Sequence, residues 1–173
     1  NCSDDESSSV YASYHAGGIC GVNYDGGELT ECTSAGKVSG NDYVGGICGV
    51  NQADSNITEC SYSGTVSAED SIEDFYVGGI CGGNLSTVGK CTNTGTVTAK
   101  CAEEVGIFTF VGGICGGNAS VVTECSNEGA VSGKTPEPIV GGICGYSYME
   151  SITENCINKG TVTAEGTGTE IYS

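Results

Sequence analysis

The chain has 173 residues, with five Lys+Arg (all five are Lys) against 22 Asp+Glu and a formal net charge of −17 at pH 7. Such a surface repels phosphate, so recognition of nucleic acid through its backbone and docking on anionic lipid are both excluded as expectations. No apolar run approaches the ~20 residues of a spanning helix, so no membrane insertion is expected.

There is no apolar stretch of the signal-peptide kind, and the only Met is Met149, so the chain reads as mature, processed or excised. Twelve Cys stand beside a single His and no C-x-x-C pair, which argues against zinc. No metal or cofactor is expected. An even Cys count in a Lys-poor chain points instead to disulfides and an oxidising, extracellular compartment.

In chain order, Cys2-Ser3 followed by Val10-Tyr11-Ala12 reads as a degenerate first coil over residues 1–13, by comparison with Cys60-Ser61 and Val66-Ser67-Ala68. Five repeats follow at about 14–40, 41–68, 69–99, 100–133 and 134–166, with a tail at 167–173, all in one repeat domain. Each repeat opens on an apolar-Gly-Gly-Ile-Cys-Gly block, with its cysteine at Cys20, Cys48, Cys81, Cys115 or Cys144. Two residues past the block's last Gly comes Asn23, Asn51, Asn84 or Asn118, and Ser147 in the last copy. A second cysteine follows at Cys32, Cys60, Cys91, Cys125 and Cys156, and then a Gly-x-Val-Ser/Thr segment. The first-cysteine period is 28, 33, 34 and 29 residues, and its variation falls just before the Gly-Gly block. One corner of the repeat therefore takes the insertions.

Each repeat offers three short apolar runs broken by Gly, Asn and Ser, and no window sustains a 3.6-residue period. Three runs in ~30 residues are too few for a propeller blade of 40–45 residues. They fit one coil of an all-β parallel β-solenoid of about five coils, three short strands per coil, stapled by disulfides. Stacking then predicts ladders of like residues. Ile19, Ile47, Ile80, Ile114 and Ile143 form one, and Val38, Val66, Val97, Val131 and Val162 another. The asparagines predict an amide ladder at a turn. His15, Tyr43, Tyr76, Phe110 and Ile139 precede the Gly-Gly pairs and predict an aromatic stack, which makes His15 a stacking residue and not a catalyst. Before the second cysteine, Glu31 and Glu59 stack, Lys90 takes the middle, and Glu124 approximately meets Glu154.

Val-Gly-Gly-Ile-Cys-Gly-x-Asn, the Ile-Thr-Glu-Cys type segment and Gly-Thr-Val-Thr/Ser together resemble the GLUG-motif repeats of bacterial surface and adhesin-like proteins, in a cysteine-bearing variety, over roughly residues 14 to 166. The resemblance implies an extracellular, non-catalytic scaffold.

Because every repeat owns one cysteine of each type, the expected bridges are Cys20–Cys32, Cys48–Cys60, Cys81–Cys91, Cys115–Cys125 and Cys144–Cys156. A rival is a ladder of bridges between successive coils, which ~4.8 Å spacing also allows. Cys2 and Cys101 are left to pair with each other or with another chain. Four N-x-S/T sequons, at Asn1, Asn56, Asn84 and Asn118, are glycosylation candidates. Asn84 and Asn118 cannot be both ladder members and glycan acceptors.

The leading reading is a structural fibre subunit or adhesin-like stalk at the cell surface or secreted, self-associating head-to-tail or joined to other surface components. An ice-binding protein is the alternative, using the row Lys37/Ser39, Thr65/Ser67, Thr96/Thr98, Ala130/Ser132 and Thr161/Thr163. A glycan-binding module is a further one. Asp4-Asp5-Glu6 and Glu69-Asp70 with Glu73-Asp74 lack calcium-loop spacing and read as solvated loops. No nucleophile, zinc-protease or P-loop motif occurs, so no enzyme is expected.

Overall fold

The structure is a computed structural model that describes residues 1–69, 73–101, 107–166 and the backbone of 170–171. Asp70 and most of the tail at 167–173 lie outside the described residues. The described residues form 27 short strands and no helix. The strands build five parallel sheets, two of six strands and three of five, in which each strand pairs with its equivalents one repeat earlier and later. This is a parallel β-solenoid of about five coils.

One coil shows the plan. Phe75–Gly78 lies on an aromatic wall, Cys81–Asn84 on a cysteine wall and Thr87–Gly89 on a threonine wall. Thr92–Asn93 forms a short wall, and Thr96–Lys100 a valine wall. The expected three runs are therefore divided into five strands, and the sequence contains the reason for each break. The first run divides at Gly-Gly. A Cβ on Gly79 would strike the Gly113 carbonyl and the Asn93 side chain, and the same collision recurs at Gly113 with Asn127. The second run divides at the residue before the second cysteine. Glu31, Glu59, Lys90, Glu124 and Asn155 all hold φ between 53° and 56° there, in the left-handed region.

Register follows the repeat. His15, Tyr43, Tyr76, Phe110 and Ile139 are successive partners. So are Val38, Val66, Val97, Val131 and Val162. The isoleucines are tied by their backbones, with Ile47 N–H donating to Ile80 O at 3.0 Å and Ile80 N–H to Ile114 O at 2.9 Å. The glutamate register differs slightly from expectation. Asn155 takes the left-handed place that Glu124 holds one coil earlier, while Glu154 pairs with Thr123.

The core is a narrow column along the axis. Ile47, Ile80, Ile114, Val66, Val97, Ile57 and Val88 are wholly enclosed, each contributing about 1.5–3 kcal/mol by leaving water. In the outer coils Ile19, Ile143 and Val162 are only partly covered. The degenerate first coil is real. Val10 pairs with Val38, and Ser3 bridges Thr33.

Candidate functional site

The solenoid sorts chemistry into columns, so each candidate is a ladder. The aromatic ladder runs along the corner between the aromatic and cysteine walls. Tyr43 and Tyr76 stack with ring centroids 4.9 Å apart and 6° between planes, and Tyr76 and Phe110 follow at 4.8 Å and 15°. His15 caps the stack, tilted, 5.6 Å from Tyr43. At the other end Phe110 meets Tyr146, which meets Tyr148 edge-on. The Tyr148 and Tyr76 hydroxyls lie 2.8 Å apart. Faces that cover one another are not free to stack on a sugar ring, so this seam is chiefly a spine.

Two amide ladders run through the interior. Asn23 Nδ2 donates to Asn51 Oδ1 at 3.0 Å, Asn51 to Asn84 at 3.0 Å, and Asn84 to Asn118 at 2.9 Å. The second ladder runs from Asn93 to Asn127 to Asn158, both steps 2.8 Å, and begins only in the third full repeat. The same column holds Ser34 and Tyr62 in the first two full repeats. The Tyr62 ring is buried and its hydroxyl donates to Gly36 O at 2.9 Å. Asn84 and Asn118 are buried with their amides committed. Of the four sequons only Asn1 and Asn56 present side chains at the surface. The Asn56 amide donates to Glu28 Oε1 at 2.8 Å.

The structure joins no two of the twelve cysteines, so the expected staples are not shown. The block cysteines Cys20, Cys48, Cys81, Cys115 and Cys144 are direct strand partners. The second cysteines form a parallel column, with Cys32 N–H directed at Cys60 Sγ, Cys91 N–H at Cys125 Sγ and Cys125 N–H at Cys156 Sγ, each at 3.4 Å. Thiol contacts along each column shift the acidities. Hydrogen bonds to Cys125 and Cys60, then burial, push the Cys91 thiol up, whereas accepting from Cys91 draws Cys60 down to about 7. Within a coil the two columns also feel each other, since Cys125 helps to raise Cys115 after the larger effects of Cys144 and burial. Cys2 and Cys101 are not brought together. Cys2 lies on the first coil, whereas Cys101 follows the strand three coils on and its amide donates to Lys134 O one coil further still.

The Thr/Ser row lies on the outer face of the valine wall. Lys37, Thr65, Thr96, Ala130 and Thr161 are exposed. The neighbouring column on that face turns its hydroxyls onto the backbone of the preceding coil. Thr98 Oγ1 donates to Val66 O at 3.2 Å and Ser39 Oγ to Val10 O at 3.3 Å. A second surface is an open depression of about 740 Å³ in the fifth full repeat, lined by Gly141, Ile143, Cys144, Tyr146, Thr153 and Val162 among others. Met149, Ile152 and Ile157 are exposed in that same coil, and Ile157 pairs with Ser126 in the coil before. Among the described residues no group of three or more His, Cys, Asp or Glu is placed to hold a metal ion.

These features define a parallel β-solenoid repeat protein with thiol, amide and aromatic ladders along its axis. Three of its repeats, at residues 12–39, 40–67 and 74–98, match the GLUG motif. A solved structure from Bacteroides ovatus, described as a putative immunoglobulin A1 protease, is similar in fold, with a TM-score of 0.65 and 19% identity. The similarity covers 86% of this chain and 49% of that one, so the chain spans about half the length of the protein it resembles. No curated protein matches the sequence.

Proposed function

We propose that this chain is a non-catalytic, extracellular structural module, a solenoid stalk or fibre segment at a bacterial surface. The observation that supports it best is the coil-to-coil identity of the ladders. Aromatic, amide, thiol and aliphatic columns each place like on like, an arrangement that resists extension and shear along the axis. The asparagine amides facing the interior are spent on holding neighbouring coils in register. A net charge of −17 keeps such a rod soluble among surface polymers and discourages lateral clumping.

Head-to-tail association is part of the same reading. A second copy that continued the sheets in the parallel sense would meet this one through unlike ends. The apolar side chains of Met149, Ile152 and Ile157 and the open depression lie in the coil that would receive it. The resemblance to the Bacteroides ovatus protein supports a module within a larger surface protein, with any peptide cleavage belonging to parts this chain does not share.

Two measurements test the reading. Sedimentation and negative-stain images across concentration are expected to show rods that lengthen in steps of one subunit. Incubation with immunoglobulin A1 is expected to leave it intact. A compact monomer that cleaves immunoglobulin A1 would overturn the proposal.

A further inference from the structure

We infer that Cys2 and Cys32 form a disulfide that latches the first coil onto the second, giving Cys2 a partner other than the Cys101 or second chain expected from the sequence. The pairing is set by the backbone. Ser3 bridges Thr33 in parallel register, Thr33 N–H donates to Cys2 O at 2.9 Å and Asp4 N–H to Thr33 O at 3.1 Å. The residues before that bridge, Cys2 and Cys32, therefore stand opposite each other and send their side chains to the same face. Neighbouring parallel strands lie ~4.8 Å apart, inside the ~4.4–6.8 Å between α-carbons that a disulfide spans. The sulfurs sense one another as well. Burial is the largest effect raising the Cys32 thiol, and the thiols of Cys60 and Cys2 add to it, against a lowering contact with the Cys2 backbone.

Register alone would allow any rung of the second-cysteine column to close. Mobility separates Cys2 from the rest. A disulfide needs its β-carbons at ~3.5–4.5 Å, closer than in-register strands hold them. Cys60, Cys91 and Cys125 are buried between coils on both sides, so drawing one rung together strains the next. Cys2 is exposed and the strand pairing around it is one isolated bridge, flanked by side-chain bonds from Asn1 to Glu31 and from the Ala35 amide to Asp4, so it has more room to move inward than the cysteines of the continuous walls.

Exposure also supplies the chemistry. The Cys2 thiolate attacks an external disulfide, of a small molecule such as oxidised glutathione or of a protein, and releases one thiolate. Cys32 then loses its proton to solvent and attacks Cys2 Sγ, expelling the second thiolate. Two cysteine thiols are oxidised to one disulfide, and one external disulfide is reduced to two thiols. The product pins the segment from Cys2 to Ala12 onto the coil below and protects the edge strand from unravelling or pairing with other chains.

The full reduced chain, re-oxidised in a glutathione buffer and digested without reductant by proteases cleaving after Glu and before Asp, tests this directly. The expected product joins the peptide Asn1–Ser3 to the peptide Cys32–Asn41. A Cys2 peptide that is free, joined to Cys101 or joined to a second chain overturns the inference, as does Cys32 bonded to Cys20 or Cys60. Hydrogen exchange gives an independent readout. The amides of Thr33 and Lys37 donate to Cys2 O and Ser8 O, and are expected to exchange at least tenfold faster after reduction or in the C2S variant, while Ile80 and Cys81 stay protected. Equal protection of Thr33 and Lys37 in oxidised and reduced protein would also refute the latch.

Discussion

The ring of Tyr43 lies over the α-carbon of Gly83, one coil further along, so closely that a β-carbon on Gly83 would sit 2.8 Å from the ring. Gly117 stands in the same relation to Tyr76. Where the column changes to Tyr146, the facing ring is Phe110, tilted 53° away at 5.2 Å. The glycines that vary along the cysteine wall are thus matched to the aromatic ladder beside it. Replacement of Gly83 by Val is expected to cost about 1–3 kcal/mol by overpacking. Combining it with Tyr43→Ala should recover part of that cost, so the two changes should be non-additive in denaturant unfolding. Strict additivity would mean that the ring and the glycine do not press on each other.

How much of this was legible beforehand depends on which columns are filled in every repeat. Val66, Val97 and Val131, or Tyr43 and Tyr76, could be aligned by eye, and their ladders are real. The Asn93–Asn127–Asn158 ladder was not legible, because Ser34 and Tyr62 occupy its first two places and hide the period. The burial of Tyr62 was hidden for the same reason, since only the packed coil shows Gly46 making room for its ring. The left-handed turn at Glu31 and Glu59 left no trace either, because Glu is a poor marker of that conformation. Finally, the equal number of cysteines per repeat suggested bridges within a coil, beside a rival ladder between successive coils; in-register stacking makes like block cysteines of neighbouring coils strand partners, with neither set bonded.

The amide ladder makes Asn84 structural. Its Oδ1 accepts from Asn51 and from the Ser86 amide, and its Nδ2 donates to Asn118, Ser86 O and Val121 O. Asn84→Ala is expected to cost about 2–4 kcal/mol, since it leaves buried partners unsatisfied. Glycopeptide mapping of glycosylated material should find Asn84 unmodified and any glycan at Asn1 or Asn56. A glycan on Asn84 in folded protein would contradict the ladder.

The first coil should loosen in acid. Burial alone would raise the Asp4 carboxyl, but hydrogen bonds from Ser8 and the Ala35 amide, helped by the nearby Ser34 hydroxyl and Gly36 amide, outweigh it and hold Asp4 below the usual carboxylate range. Ser8 Oγ donates at 2.7 Å and Ala35 N–H at 2.8 Å. A carboxyl with a depressed folded pKa contributes stability above its unfolded value, ~3.9, and that contribution disappears as pH falls through the lower folded value. NMR titration should therefore show Asp4 protonating below ~3.9, with the Ala35 amide resonance moving in step. The D4N variant should abolish that coupled shift. An Asp4 that titrates at or above the ordinary value would contradict the hydrogen-bond network.

The turn before the second cysteine carries the sharpest backbone prediction. Glu59 holds φ at 56° with its amide donating to Gly89 O at 3.0 Å, and Lys90 repeats the geometry one coil on. A side chain with a β-carbon costs about 1–2 kcal/mol in this region, and a β-branched one more, whereas Asn tolerates it. The fifth full repeat already uses Asn155 at this place. Glu59→Asn should therefore leave the unfolding midpoint unchanged or slightly raised, while Glu59→Val should lower stability by about 2 kcal/mol, although both remove the same charge. Comparing the pair separates backbone conformation from electrostatics. If Val and Asn unfolded alike, the left-handed turn would carry no energetic weight, and the charge column of Glu31, Glu59 and Lys90 would have to account for the residue choice.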